Sequence, residues 1–217
     1  MFSHSFNKLI TTKLSFAKKF ARGFTLVELV VVMSIGVLIM TTIVGGQSRY
    51  TDAATLKGLA NDVSLDLRQA QVYGISVKVS PTDNTDFNGV YGLSFNKSYV
   101  SDYVAFKEGS GTFGVYDSNN HTSCSGECLI INPINRGNKI NQICRIPIAN
   151  PQTLDCNLGR ADITFVRPST EAKIVYFNTS GGIISSTGYQ GLRIEFISPG
   201  GVKRSVVIYT SGQISVQ

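Results

Sequence analysis

Two groups of residues in this 217-residue chain have types and spacings that could do chemistry. The first is four cysteines, Cys124, Cys128, Cys144 and Cys156. Such a set either pairs into two disulfides or holds a metal, with His121 as a neighbouring ligand. Structural zinc sites bring their ligands in close pairs, whereas Cys144 and Cys156 stand well apart in sequence, so disulfides are the preferred reading. Three connectivities are open, and Cys124–Cys128 with Cys144–Cys156 is favoured, the turn at Ser125-Gly126 bringing the first pair together. The second group is Glu28, the one charge in the run FTLVELVVVMSIGVLIMTTIV over residues 24–44. A charge inside a spanning helix costs about 2.5–3.5 kcal/mol on insertion scales and calls for a partner. Near the start of the run it can instead snorkel to the interface. The residues alone leave both open.

Enzyme chemistry has little to work with. There are two histidines, His4 and His121, and no nucleophile elbow, Walker A, zinc-protease or dinucleotide-binding motif. An anchored hydrolase built from Ser, Asp and His121 is a third-ranked reading. The formal net charge is +6, but Lys8, Lys13, Lys18, Lys19 and Arg22 supply five of those charges within residues 1–23, which hold no acid. The rest of the chain is nearly neutral, against a nucleic-acid-binding body. A cluster of Arg136, Lys139, Arg145 and Arg160 around the cysteine loop is the one arrangement that would revive DNA capture.

The elements that must position these groups follow from periodicity. Residues 24–44 form a helix of about 31 Å at 1.5 Å per residue, matching a bilayer core. The basic leader places residues 1–23 in the cytoplasm and everything after Val44 outside. A cleaved secretory signal has a shorter apolar core and a small-residue cleavage site. Gly45-Gly46 marks a soft spot, since Gly weakens a helix by about 1 kcal/mol relative to Ala. Leu56, Leu59, Ala60, Val63, Leu67, Ala70 and Tyr73 then recur at helical spacing, with Asp52, Lys57, Asp62, Asp66 and Arg68 assigned to the opposite, solvated face. The helix is expected to end near Gly74. Beyond it, β-branched and aromatic runs predict strands at 75–79, 90–95, 103–106, 129–132, 162–166, 172–177, 192–197, 202–209 and 213–216, the last ones as antiparallel hairpins. The fold class is α+β: a long N-terminal helix, first transmembrane and then amphipathic, packed on a C-terminal antiparallel β-rich domain.

Arg22-Gly23-Phe24-Thr25-Leu26-Val27-Glu28-Leu29 resembles the processing site of type IV prepilins and type II secretion pseudopilins. The resemblance implies that a prepilin peptidase cuts after Gly23 and methylates the new N-terminus at Phe24. It implies that Glu28 pairs with the terminal amine of a neighbouring subunit. The implied partners are the peptidase, other pilin or pseudopilin subunits and an inner-membrane assembly platform, with no cofactor and no enzymatic activity. The chain would sit in a bacterial inner membrane and then join a filament. Its domains would be a cleaved leader (1–23), a membrane half-helix (24–44), an amphipathic half-helix (45–74) and an extracytoplasmic β-rich domain (75–217).

The ending IVYFNTSGGIISSTGYQGLRIEFISPGGVKRSVVIYTSGQISV is similar to the closing strands of GspH/FimT minor pseudopilins, through Phe177 to Gly181, Gly200-Gly201 and Gly212. DNA-binding members of that group are associated with a C-terminal Gly-Arg-x-Arg. The matching stretch here is Gly212-Gln213-Ile214-Ser215, without either arginine. A structural subunit is therefore the leading expectation, and a tip subunit that captures DNA or adheres to surfaces is the alternative.

Overall fold

The computed structural model describes residues 23–76 (backbone only at 45–49), 89–109, 111–117 and 123–217. The leader up to Arg22, most of the expected strand 75–79, and His121 lie outside the described residues. Helix α1 runs over Leu26–Ile75 and stays helical through Gly45 and Gly46, so the expected soft spot does not interrupt it. Contacts divide the chain into Met1–Gly45 and Gly46–Gln217. In the first unit, Leu26–Val44 has a mean hydropathy of 2.4, enough in length and composition to cross a membrane.

The second unit is α+β, with the rest of α1 laid on antiparallel strands. A six-stranded sheet has the order β3-β2-β1-β5-β6-β7, and a four-stranded sheet the order β10-β9-β8-β4. The strands of the larger sheet are β1 (Tyr91–Asn96), β2 (Asp102–Lys107), β3 (Cys128–Pro133), β5 (Arg160–Phe165), β6 (Ala172–Phe177) and β7 (Ile183–Ile184). The smaller is built from β4 (Lys139–Pro147), β8 (Tyr189–Ile197), β9 (Lys203–Tyr209) and β10 (Ile214–Val216). The expected C-terminal hairpins are present, since β8 pairs antiparallel with β9 and β9 with β10. Strand β4 was not anticipated: it begins in a stretch left unassigned and pairs along most of β8.

One core joins α1 to both sheets. Leu56, Ala60, Val63, Leu67 and Ala70 on the helix meet Leu93, Phe95, Ile163, Phe165 and Ile174 of the larger sheet and Ile143, Leu192, Ile194, Phe196, Val206 and Ile208 of the smaller. A fully buried Leu or Phe of this kind contributes about 1.5–3 kcal/mol. At its C-terminal end α1 approaches β5 so closely that a Cβ at Gly74 would collide with the Phe165 carbonyl. On the other face of the larger sheet, Val104, Phe106 and Tyr116 form a small second cluster.

Two helix carboxylates expected in solvent are instead docking groups. Asp66 accepts hydrogen bonds from the Tyr103 hydroxyl (2.6 Å) and the Asn132 amide (3.2 Å). Asp52 accepts from the Gly200 N–H (2.9 Å) and the Ser198 hydroxyl (3.4 Å) at the β8–β9 turn. Each ties α1 to a different sheet.

Candidate processing site

Gly23, Phe24 and Thr25 form a short non-helical entry to α1, and all three are exposed. Thr25 ends that entry. Its hydroxyl oxygen accepts from the Glu28 N–H (3.2 Å) and its carbonyl accepts from the Leu29 N–H (3.2 Å). Thr25-x-x-Glu28 thus has the spacing of a capping box, and Glu28 lies in the first helical turn, where a carboxylate favours the N-terminal end of the helix dipole. The Gly23–Phe24 bond therefore sits in irregular chain two residues before the first helical residue. Among the described residues, nothing lies within 4 Å of where a Gly23 Cβ would stand. An exposed, irregular backbone is what a peptidase needs to bind a substrate in extended form.

The structure joins Cys124 to Cys128 and Cys144 to Cys156, with Cα separations of 5.1 and 3.9 Å. With all four cysteines in disulfides, none remains as a thiolate ligand. Among the described residues no group of three or more His, Cys, Asp and Glu is placed to hold a metal. The second disulfide is anchored in the smaller sheet. Cys144 is buried within β4, between Ile143 and the half-buried Arg145.

Two of the four basic residues expected around the cysteine loop, Arg145 and Arg160, are engaged within the fold. Arg145 pairs with Asp155 and stacks on the Tyr189 ring, its guanidinium carbon 4.0 Å from the centroid. Arg160 pairs with the fully buried Asp162 and lies 4.5 Å over Phe177. The hydrogen bond from Arg145 holds the Asp155 carboxyl below the usual value. Burial raises that of Asp162 against the pull of Arg160. Both arginines serve the fold. Lys203 is likewise engaged, 3.0 Å from Glu195.

Asp52 and Asp66 were missed because charge was read as exposure. A helical wheel supplies the signal, since Asp52 falls inside the arc of Leu56, Val63 and Ala70. The Asp162 cluster was not legible because only Arg160, two residues before it on β5, is local, while the Tyr116 N–H that donates to it at 2.9 Å comes from a distant segment.

Residues 18–44 match the family model described as "Prokaryotic N-terminal methylation motif". The chain carries that motif. The methylation motif spans Lys18–Arg22, the exposed Gly23–Phe24 bond, the Thr25 cap and the whole apolar run. Together with the long apolar helix and the C-terminal β-sheets, it is consistent with the type IV pilin and pseudopilin superfamily. No curated protein and no solved structure matches the chain.

Proposed function

We propose that this chain is a minor pilin or pseudopilin of the GspH/FimT kind, a structural subunit of a type IV pilus or type II secretion pseudopilus. The reading rests above all on the methylation motif coinciding with an exposed bond just ahead of a capped apolar helix. A prepilin peptidase removes residues 1–23 at the cytoplasmic face and methylates Phe24. The new ammonium at Phe24 and the Glu28 carboxylate stand four residues apart at the start of α1. Between neighbouring subunits in an apolar setting they attract more strongly than in water. The helix of each subunit then packs on its neighbours, and the inner-membrane platform adds subunits to the filament. The β8–β9–β10 hairpins agree with the GspH/FimT ending.

The test is the N-terminus of the purified protein. Mass analysis is expected to show a chain starting at methylated Phe24, and Gly23→Val is expected to leave the full-length form in the membrane. A start near Gln47 overturns the reading in favour of an ordinary secretory signal.

A further inference from the structure

The turns at one end of the β-rich domain gather basic side chains that the fold does not use. Lys97 follows β1, Arg136 lies in the β3–β4 turn, Lys139 opens β4 and Arg204 stands near the start of β9. All four are exposed, and none makes an ion pair or a side-chain hydrogen bond among the described residues. The turns themselves are held together. The Ile134 N–H donates to the Ser101 carbonyl (2.7 Å), and the Ile140 N–H donates to the Val100 carbonyl (2.9 Å). A Cβ at Gly137 would stand 2.9 Å from Pro199 Cγ in the β8–β9 turn.

The carboxylates nearby offset little of this charge. Asp52 is committed to the Gly200 N–H and Glu195 to Lys203. Asp102 is half-buried, and Asp62 lies about 15 Å further along α1 than Asp52. Tyr99, 39% exposed between β1 and β2, adds a ring of the kind enriched at membrane–water interfaces.

Position along the chain says what this end faces. Asp52 holds the β8–β9 turn on α1 and follows Val44 by eight residues, about 12 Å of helix. The headgroup layer outside a hydrocarbon core is about 5–8 Å deep, and at physiological salt charges are felt across about 8 Å. A chain anchored through Leu26–Val44 therefore keeps the β8–β9 turn, and the turns packed beside it, in reach of lipid phosphates. We propose that this basic end rests on a bilayer surface that contains anionic lipid, with Lys97, Arg136, Lys139 and Arg204 attracting the headgroup phosphates. Each such residue strengthens attachment about fivefold. The inference rests on the subunit reading only for the anchoring of Leu26–Val44 in a bilayer. Nucleic acid is the rival polyanion, and the tie to Asp52 favours the membrane.

The experiment places the full chain in lipid nanodiscs, of phosphatidylcholine alone or mixed with phosphatidylglycerol. A fluorophore is attached at Ser98→Cys between β1 and β2 or, as the distal control, at Ser211→Cys between β9 and β10, both exposed positions. The native cysteines are all disulfide-bonded and do not compete. Quenching by a nitroxide on the lipid headgroup is expected to be severalfold stronger for the Ser98→Cys label in the mixed discs than in phosphatidylcholine. It should weaken as salt is raised, and the distal label should stay unquenched in both lipids. Combining Arg136→Gln, Lys139→Gln and Arg204→Gln is expected to bring the mixed-disc signal down to that of phosphatidylcholine. An unchanged melting temperature shows that this loss is not one of folding. Equal quenching in the two lipids, or quenching of the distal label instead, overturns the proposal and leaves the subunit reading standing. Binding of a short DNA duplex that the triple variant abolishes, with no lipid dependence of the quenching, overturns it in favour of nucleic acid. If the unmodified chain never enters the discs, the anchoring fails, and the subunit reading falls together with this inference.

Discussion

Arg145 shows how one side chain can be made structural by its surroundings. Its Nε donates to Asp155 at 3.1 Å, and its Nη1 donates to the Ser185 carbonyl at 3.1 Å. The rings of Tyr189 and Tyr176 face its guanidinium. Burial pushes the Tyr176 hydroxyl up to about 12, so that ring remains neutral across the physiological range. Asp155 titrates instead. Its folded-state value lies below the ordinary 3.8, so it contributes stability above that pH and loses it as the pH falls through the depressed value. The pair is partly exposed, which limits the effect to below about 1 kcal/mol. Thermal unfolding of the full chain in detergent from pH 5 to pH 2 is expected to show a shallower decline for Asp155→Asn than for the unmodified protein. Parallel curves would show that the carboxylate contributes nothing.

Among the elements, α1 is the one whose sequence pattern decides most. Leu67 is fully buried, whereas Leu65 is 61% exposed. Leu67→Ala is expected to cost about 2–5 kcal/mol, and Leu65→Ala to fall within about 0.5 kcal/mol of neutral, read from denaturant midpoints. The helix and the closing hairpins were legible because their periods are unbroken and their turns carry glycine. Strand β4 was not, because Asn141 and Gln142 interrupt its apolar alternation where the register with β8 shifts. The methylation motif was legible because it is contiguous. Asp52 and Asp66 are the intermediate case, residues whose helical positions were readable but whose charge was taken to mean solvent.

For the molecule as a whole, the apolar run Leu26–Val44 is left uncovered by the other described residues, and its length and composition suit the hydrocarbon core of a bilayer. Glu28 is the one charge it carries there. If its carboxylate pairs with a neighbour's terminal amine, Glu28→Ala is expected to insert and to be cleaved normally but to be depleted from filaments. The measurement is the ratio of the variant in sheared filaments to that in membranes, and an unchanged ratio would reduce Glu28 to a capping residue.

The core described above is also assembled in an awkward order. The helix stripe from Leu56 to Ala70 is made early, but Val206 and Ile208, which help to cover it, belong to β9 near the other end of the chain. Under the proposed topology the helix emerges first, and its apolar side has no complete cover until β9 has crossed the membrane. At synthesis rates of about 5–20 residues per second, that interval is on the order of ten seconds. During it the nascent subunit is an unfinished surface held at the bilayer, open to capture by a chaperone or to the wrong strand. On the proposed topology, quality control for such a protein belongs at the membrane surface where the chain emerges, before any assembly.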